Sequence, residues 1–329
     1  MLMITLKRLQ NVSSTRLRWI LHACRYFNGR SPLYPRFVQL LLTYKCNANC
    51  SFCYQAPQKK SIPDMTLSDA KTIENNIRKS FTFRPLIHLF GGEPTVNPEF
   101  EEILRFFSDS GYRVSMTTNG LNILEHKKAI VQAAGFREIH VSLNDMNHSR
   151  VLDALEKLRA EDADNRLYIT LNCPITKQNQ HELVNIVKIY ENSEADCLAF
   201  QHRAFIWYSG FVEMDHKAIR EQYDIIRKRK NGIDVIIRPK IPSSEIKDYY
   251  TDKIYPFDKN QCYFPWFVLF IQPDGTVVPC DELDIYLGNA KTDDLKKVWN
   301  NPEYVKFRKS IIKRGISHPI CNRCDHREY

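Results

Sequence analysis

A chain of 329 residues with 43% hydrophobic and 26% charged side chains has the balance of a folded globular protein, which excludes a disordered or collagen-like chain. No apolar run approaches the roughly 18 residues that a bilayer-spanning helix needs, and no internal repeat marks a solenoid. The formal charge of +9 is local: residues 1 to 63 hold ten of the 47 Lys and Arg and no Asp or Glu, so the rest of the chain is close to neutral and an anionic partner should meet the N-terminal part.

Residues 1 to 35 read as a basic arm, with Leu6, Leu9, Leu17, Trp19, Ile20, Leu21 and Phe27 interleaved among Lys and Arg. An apolar, β-rich run from Phe37 to Thr43 then reads as a first strand. Thr66, with Asp69 three residues on, supplies the N-cap of a helix through about Lys79, and Leu86 to Phe90 follows as the second strand. The alternation continues with helix Glu99 to Ser110, strand Arg113 to Thr117, helix Glu125 to Ala134, strand Glu138 to Leu143 and helix Ser149 to Ala160. Strand Leu167 to Asn172, helix Gln180 to Tyr190, strand Leu198 to Gln201 and helix Lys217 to Lys230 complete six units, which imply an α/β fold with a parallel sheet flanked by helices. Beyond residue 240 the pattern changes to a hairpin turning at Asp274-Gly275 and one helix from about Leu295 to Lys309.

Ten cysteines are many for a chain whose N-terminus lacks the apolar core and small-residue cleavage site of a secretory signal. A cytoplasmic location is the default; there thiols stay reduced, and clustered cysteines serve as metal ligands or catalysts rather than disulfides. Cys24, Cys173 and Cys197 stand alone and read as small buried hydrophobes. Cys46, Cys50 and Cys53 form a C-x3-C-x2-C run, while Cys262, Cys280, Cys321 and Cys324 follow far downstream, the last two as C-x2-C. Three thiolates on one tight loop can hold three corners of an iron-sulfur cube and leave one iron open. A structural zinc would want a fourth ligand, and the nearest histidines are His22 and His88. The four downstream cysteines suit either a zinc ribbon or a closed iron-sulfur cluster.

With Phe52 in its aromatic slot, the C-x3-C-x2-C loop resembles the signature of the radical S-adenosylmethionine (SAM) superfamily. Gly91-Gly92-Glu93-Pro94, at the end of the second strand, is similar to that superfamily's GGEP motif. The resemblance implies a partial (β/α)6 barrel over residues 36–240, a [4Fe-4S] cluster on Cys46, Cys50 and Cys53, and SAM bound to that cluster's open iron and by Gly91, Gly92 and Glu93, with Asn119 and Ser142 as further contacts. Reductive cleavage of SAM to a 5′-deoxyadenosyl radical and hydrogen abstraction from substrate would follow. The C-terminal order of Cys262, Gly275, Cys280 and Cys321-Asn322-Arg323-Cys324 looks like the SPASM/twitch extension. It implies a second unit, residues 241–329, built of a β-hairpin plus helix and holding one auxiliary [4Fe-4S] cluster on its four cysteines.

Such an enzyme would take electrons from a donor such as flavodoxin or ferredoxin, and its second cluster points to net oxidation or cross-linking of a peptide or of a sugar or aminocyclitol. A peptide substrate could come with a separate recognition protein. The arm admits three readings: a helix across the bottom of the barrel, an amphipathic segment touching a membrane near a lipid or polyprenyl-linked substrate, or an organellar transit peptide. Candidate bases at strand ends are Asn144, Asp145, His202, Arg203 and Tyr208. A different class, an iron-sulfur or zinc protein that senses redox state or binds RNA without turnover, stays open and would form no 5′-deoxyadenosine.

Overall fold

The structure, a computed structural model, describes residues 29–31, 34–50, 52–53, 61–143, 148–164, 166–202, 205–206, 210–211, 213–229, 231–239, 241–250, 262, 264–314, 321 and 324. Residues 1–28 of the arm, Cys24, Asn144, Asp145, Arg203 and Tyr208 lie outside the described residues.

Strands and helices alternate as β1 (Phe37–Leu41), α1 (Leu67–Ser80), β2 (Leu86–Phe90), α2 (Phe100–Asp109), β3 (Val114–Thr118), α3 (Lys127–Gln132), β4 (Phe136–Ser142), α4 (His148–Glu161), β5 (Tyr168–Ile175), α5 (Leu183–Tyr190) and β6 (Cys197–His202). The sequence starts α1 with a full capping box: Asp69 N–H donates to Thr66 Oγ1 and Thr66 N–H donates back to Asp69 Oδ2, each at 3.1 Å. Ala70, Ile73 and Ile77 then form its buried stripe. All six strands pair in parallel and in sequence order, the arrangement of a partial barrel.

After β6 come a two-stranded ribbon, β7 (Phe205–Ile206) with β8 (Gly210–Phe211), and α6 (His216–Arg227). A further parallel strand, β9 (Asp234–Arg238), which the sequence pattern did not reveal, then extends the sheet beside β6, and α7 (Ile246–Tyr249) follows it. The C-terminal part joins the other edge. β10 (Val268–Ile271) pairs in parallel with β1, and β11 (Thr276–Val278) and β12 (Gly288–Asn289) continue antiparallel, giving one ten-stranded sheet ordered β12-β11-β10-β1-β2-β3-β4-β5-β6-β9. Asp274-Gly275 makes the β10–β11 turn as expected, with Gly275 at φ 90°.

The single helix expected from Leu295 to Lys309 is two, α8 (Leu295–Val298) and α9 (Pro302–Arg314). Pro302 cannot continue a helix but suits the first position of one, and Asn301 Oδ1 caps the new start by accepting Tyr304 N–H at 2.7 Å. Behind them Arg308 is fully buried, its guanidinium 3.8 Å from the Tyr304 ring centroid and 4.5 Å from that of Trp299, donating to Pro265 O, Trp299 O and Asn300 Oδ1.

Strand alternation separates two faces. Val38, Leu40, Ile87, Leu89, Val114, Met116, Ile139, Val141, Ile169, Leu171, Leu198 and Phe200 form the helix-covered core. The inner face is divided: near β10, β1 and β2 it is apolar, with Phe37, Leu41, Phe90, Phe264, Phe270 and Val278, whereas from β2 onward it carries polar side chains.

Candidate active site

The two motifs meet beyond the carboxyl ends of β1 and β2, where parallel α/β folds gather ligands. Gly92 N–H donates to Thr43 O at 2.7 Å and Glu93 N–H to Lys45 O at 2.9 Å, so the GGEP segment runs directly against the entry to the cysteine loop. Only glycine permits this approach. A Cβ at Gly91 would lie 2.5 Å from Thr43 O, and one at Gly92 would collide with Lys45 O. Thr43 Oγ1 donates to Asp64 Oδ1 at 2.6 Å and accepts Lys45 N–H at 2.9 Å, while Lys45 Nζ lies 2.7 Å from Asp64 Oδ2. The start of the loop is thereby fixed.

Cys46, Cys50 and Cys53 are half-buried. Cys53 N–H donates to Cys50 O at 3.1 Å, a turn that folds this part of the loop. Cys46 Sγ faces two donors, Ala48 N–H at 3.4 Å and Asn119 Nδ2 at 3.7 Å. Burial pushes the Cys46 thiol up, the Ala48 N–H draws it back, and the Glu93 carboxylate adds a smaller upward push. Asn119 Nδ2 also donates to Asn47 Oδ1 at 2.7 Å, tying the end of β3 to the loop.

Glu93 is fully buried at the centre of this junction. Its Oε1 accepts from Thr95 N–H (3.1 Å), Thr95 Oγ1 (2.7 Å) and Thr118 Oγ1 (2.8 Å), and its Oε2 accepts Asn119 N–H at 2.6 Å. Burial raises its pKa even against these four donors. As folded, Glu93 organises the ends of β2 and β3, and a substrate ammonium would have to reach it at Oε2, which keeps acceptor capacity. Ser142 ends β4 on the inner face, half-buried and in register with Asn172 of β5.

Below these ends lies a polar wall that sequence reasoning did not assemble. His88 on β2 places Nδ1 2.8 Å from Ser115 Oγ and Nε2 3.0 Å from Thr117 Oγ1, and burial lowers its pKa to about 3. His140 on β4 packs edge-on to it at 5.7 Å between ring centroids, with Nε2 3.7 Å from Glu138 Oε2; burial again holds the imidazole well below its usual pKa. The pairing register adds Thr170 and Asn172 of β5, Gln201 of β6 and Arg238 of β9 to the same face. The local signal was a carboxylate and an imidazole two apart in Glu138-Ile139-His140, which in a strand share one face. His202, a candidate base, has the opposite parity: it is buried on the helix side, with Nδ1 2.5 Å from Tyr250 Oη and Nε2 2.9 Å from Tyr223 Oη.

The four downstream cysteines are half-buried. Cys262 and Cys280 pack against Phe264, Phe270 and Val278, in the same cluster as Tyr44, two residues before Cys46. Cys280 is pushed well above the ordinary thiol range by burial first, then by Asp281 and by the thiols of Cys321 and Cys262, which places three of the four within electrostatic reach. Asp284 and Asp274 of the same unit also raise the Tyr44 hydroxyl, after burial. Among the described residues no three His, Cys, Asp or Glu side chains converge on a single metal ion. Both donor sets consist of thiols alone, with N–H groups aimed at Cys46 Sγ and Cys280 set in an apolar surround, a chemistry that fits iron-sulfur clusters.

Comparison with known proteins agrees. The Radical SAM superfamily model matches residues 40–189, and the SPASM model, described as an iron-sulfur cluster-binding domain, matches residues 262–325. The chain is 25% identical to the AdoMet-dependent heme synthase of Methanosarcina barkeri, over 89% of each chain. It is 23% identical to the tungsten-containing aldehyde ferredoxin oxidoreductase cofactor-modifying protein of Pyrococcus furiosus, over 89% of this chain and 88% of that one. Among solved structures, Streptococcus suis SuiB bound to its precursor peptide SuiA shares the fold at a TM-score of 0.66 and 14% identity, over 89% of this chain and 71% of that one. The chain thus belongs to the radical SAM superfamily and carries a C-terminal SPASM-type iron-sulfur cluster-binding domain.

Proposed function

We propose that the protein is an oxidising C–H functionalisation enzyme acting on a peptide or on another polar natural product such as a sugar or aminocyclitol. The observation that carries this reading is the wall of His88, His140, Asn172, Gln201 and Arg238 below the motif-bearing strand ends, in one sheet with the strand that leads to Cys280. Cys46, Cys50 and Cys53 would hold the [4Fe-4S] cluster, Gly91, Gly92, Glu93, Asn119 and Ser142 would seat SAM, and Cys262, Cys280, Cys321 and Cys324 would hold the auxiliary cluster. When bound, this group supplies one-electron cleavage of SAM and a radical able to take hydrogen from an unactivated carbon. The chain's own part is orientation: Glu93 and Asn119 lock the loop, His88 holds the Ser115 and Thr117 hydroxyls in place, and Arg238 offers a cation to an acidic substrate group. A structural relative supports the peptide reading: SuiB is bound to a precursor peptide. An electron donor of the flavodoxin or ferredoxin type would serve it.

The test is anaerobic reconstitution of the wild type and of a variant with Cys46, Cys50 and Cys53 changed to Ala, followed by iron, sulfide and 5′-deoxyadenosine measurement. The expected result is about eight irons in the wild type and about four in the variant, with SAM cleavage only in the former. A wild type that binds iron but forms no 5′-deoxyadenosine under reduction would overturn the enzymatic reading in favour of a redox or RNA-binding protein.

A further inference from the structure

We propose that Arg238, helped by Gln201, Asn172 and Gln39, fixes an oxyanion of the substrate, a carboxylate or a phosphate, so that the enzyme selects acidic molecules and rejects amines such as an aminocyclitol. The inference rests on the reading above that the inner face of the sheet receives the substrate, and it narrows that substrate by charge. Strand alternation that sends Leu198 and Phe200 to the helix side turns Gln201 inward, and the β6–β9 register places Arg238 beside it. Asn172, between Leu171 and Cys173, and Gln39, between Val38 and Leu40, are turned inward in the same way. Gln39 pairs with His88, whose ring packs on that of His140. After burial, the charges that hold the His140 imidazole down include the Arg238 guanidinium, so the arginine reaches back over the same face.

These four side chains differ from the polar groups that the fold uses for itself. Arg308 donates to Pro265 O and Trp299 O, and Arg159 is held by Asp162, Asp196 and Leu167 O. Arg238 is half-buried yet makes no hydrogen bond or ion pair among the described residues, and the side chains of Asn172 and Gln201, also half-buried, make no hydrogen bond there either. Gln39 is only 7% exposed and its amide is equally unpartnered among the described residues. Polar groups this far from water are normally paired, and four left over on one face suit a ligand that completes them. The two acids of the face do not neutralise Arg238: Glu138 lies beside His140, and Asp234 starts β9 four residues earlier, about 13 Å along the strand. A guanidinium offers a planar fork that matches a carboxylate or phosphate, the amides add N–H donors, and an ammonium placed there would meet an unneutralised positive charge.

The experiment is titration of the reconstituted, SAM-loaded chain, by calorimetry and saturation-transfer NMR, with two matched sets of probes. One set is capped Ala-Glu-Ala, Ala-Gln-Ala and Ala-Lys-Ala; the other is glucuronate, glucose and glucosamine, with inorganic phosphate alongside. The acidic member of one set is expected to bind roughly tenfold more tightly than its neutral member, with the amine weakest, and the set that shows this tells whether a peptide or a sugar carries the oxyanion. R238Q should erase the preference, R238K should keep part of it, and Q39A/N172A/Q201A should weaken every member while leaving the preference in place. In the wild type, phenylglyoxal should label Arg238, located by mass spectrometry, and the acidic probe should protect it, a readout that needs no folded variant. Acidic probes that bind no better than neutral ones, a preference that survives R238Q, or loss of SAM binding by R238Q in equilibrium dialysis would each overturn the proposal. Formation of 5′-deoxyadenosine by the same preparation would leave the enzymatic reading standing in all three cases.

Discussion

The two cysteine sets are held in place by contrasting means. Around Cys46, Cys50 and Cys53 the support is backbone hydrogen bonds and short polar side chains: Thr43, Asp64, Asn119, Glu93 and the glycine pair that lets two strand ends touch. Around Cys262 and Cys280 it is bulk, with Phe264, Phe270 and Val278 in contact and Trp266, Trp299 and Arg308 fully buried in the same unit. A site that must admit a cofactor cannot be walled in by large side chains, so its precision rests on close backbone contacts. A site closed by four thiols can be embedded in a core. The first kind should fail on the addition of one methyl group, the second only in proportion to the packing removed.

Gly92→Ala should break the contrast most sharply. Its Cβ would meet Lys45 O, displacing the loop entry, and we expect SAM cleavage to fall on the order of 100-fold with the Cys46 set losing its iron and the downstream set keeping it. Iron content and 5′-deoxyadenosine formation measure both halves. Next in size, Arg308→Met should cost about 2–4 kcal/mol in urea unfolding, because Pro265 O and Trp299 O lose a buried charged donor, and here the downstream iron should be the first released. Glu93→Gln keeps the shape but reduces the acceptors around Thr95, Thr118 and Asn119. A cost of about 1–3 kcal/mol and weaker SAM binding, read by equilibrium dialysis, are expected, with the auxiliary unit unaffected.

Acid should sharpen the same difference with the smallest effect. His88 titrates near 6.5 when unfolded but near 3 in the fold, so the native state binds fewer protons below pH 6.5. Its contribution is fully present above pH 6.5 and is lost as pH falls toward 3, about 1.4 kcal/mol by pH 5.5. His140 acts in the same direction. Both lie on the inner face of the sheet, and the expected outcome of denaturation at pH 7.5 and 5.5 is a loss that His88→Asn reduces.

Much of this was legible in the sequence where the signal is local. Thr66 and Asp69 announced α1, Leu86 to Phe90 is β2 to the residue, and Asp274-Gly275 turns as its dipeptide requires. Cysteine spacing and the GGEP segment pointed to the two chain segments that the structure brings together at the ends of β1 and β2. What stayed hidden depends on register. The apolar run Val268–Ile271 gives no sign that its partner is β1, and His88, Glu138 and His140 look like blemishes in apolar strands until pairing puts them on one face. His202 misled for the same reason: it ends a strand as a catalytic group should, but one position of parity turns it toward α6. The break at Asn300–Pro302 was readable, since a proline inside a helical pattern marks a new start.

Because β10 pairs with β1, the sheet cannot be finished in the order in which it is made. One edge of β1 waits for a partner about 230 residues further along the chain, while β2 to β6 can already form beside it. Until then a nascent chain presents an open strand edge whose residues, Gln39 apart, are all apolar, the kind of surface that invites mispairing or calls for a chaperone. The loop of Cys46, Cys50 and Cys53 can thus fold while the chain is still being made, whereas the second set waits until Cys321 and Cys324 have been added. Slowing translation between residues 211 and 268 should raise aggregation more than slowing it anywhere else.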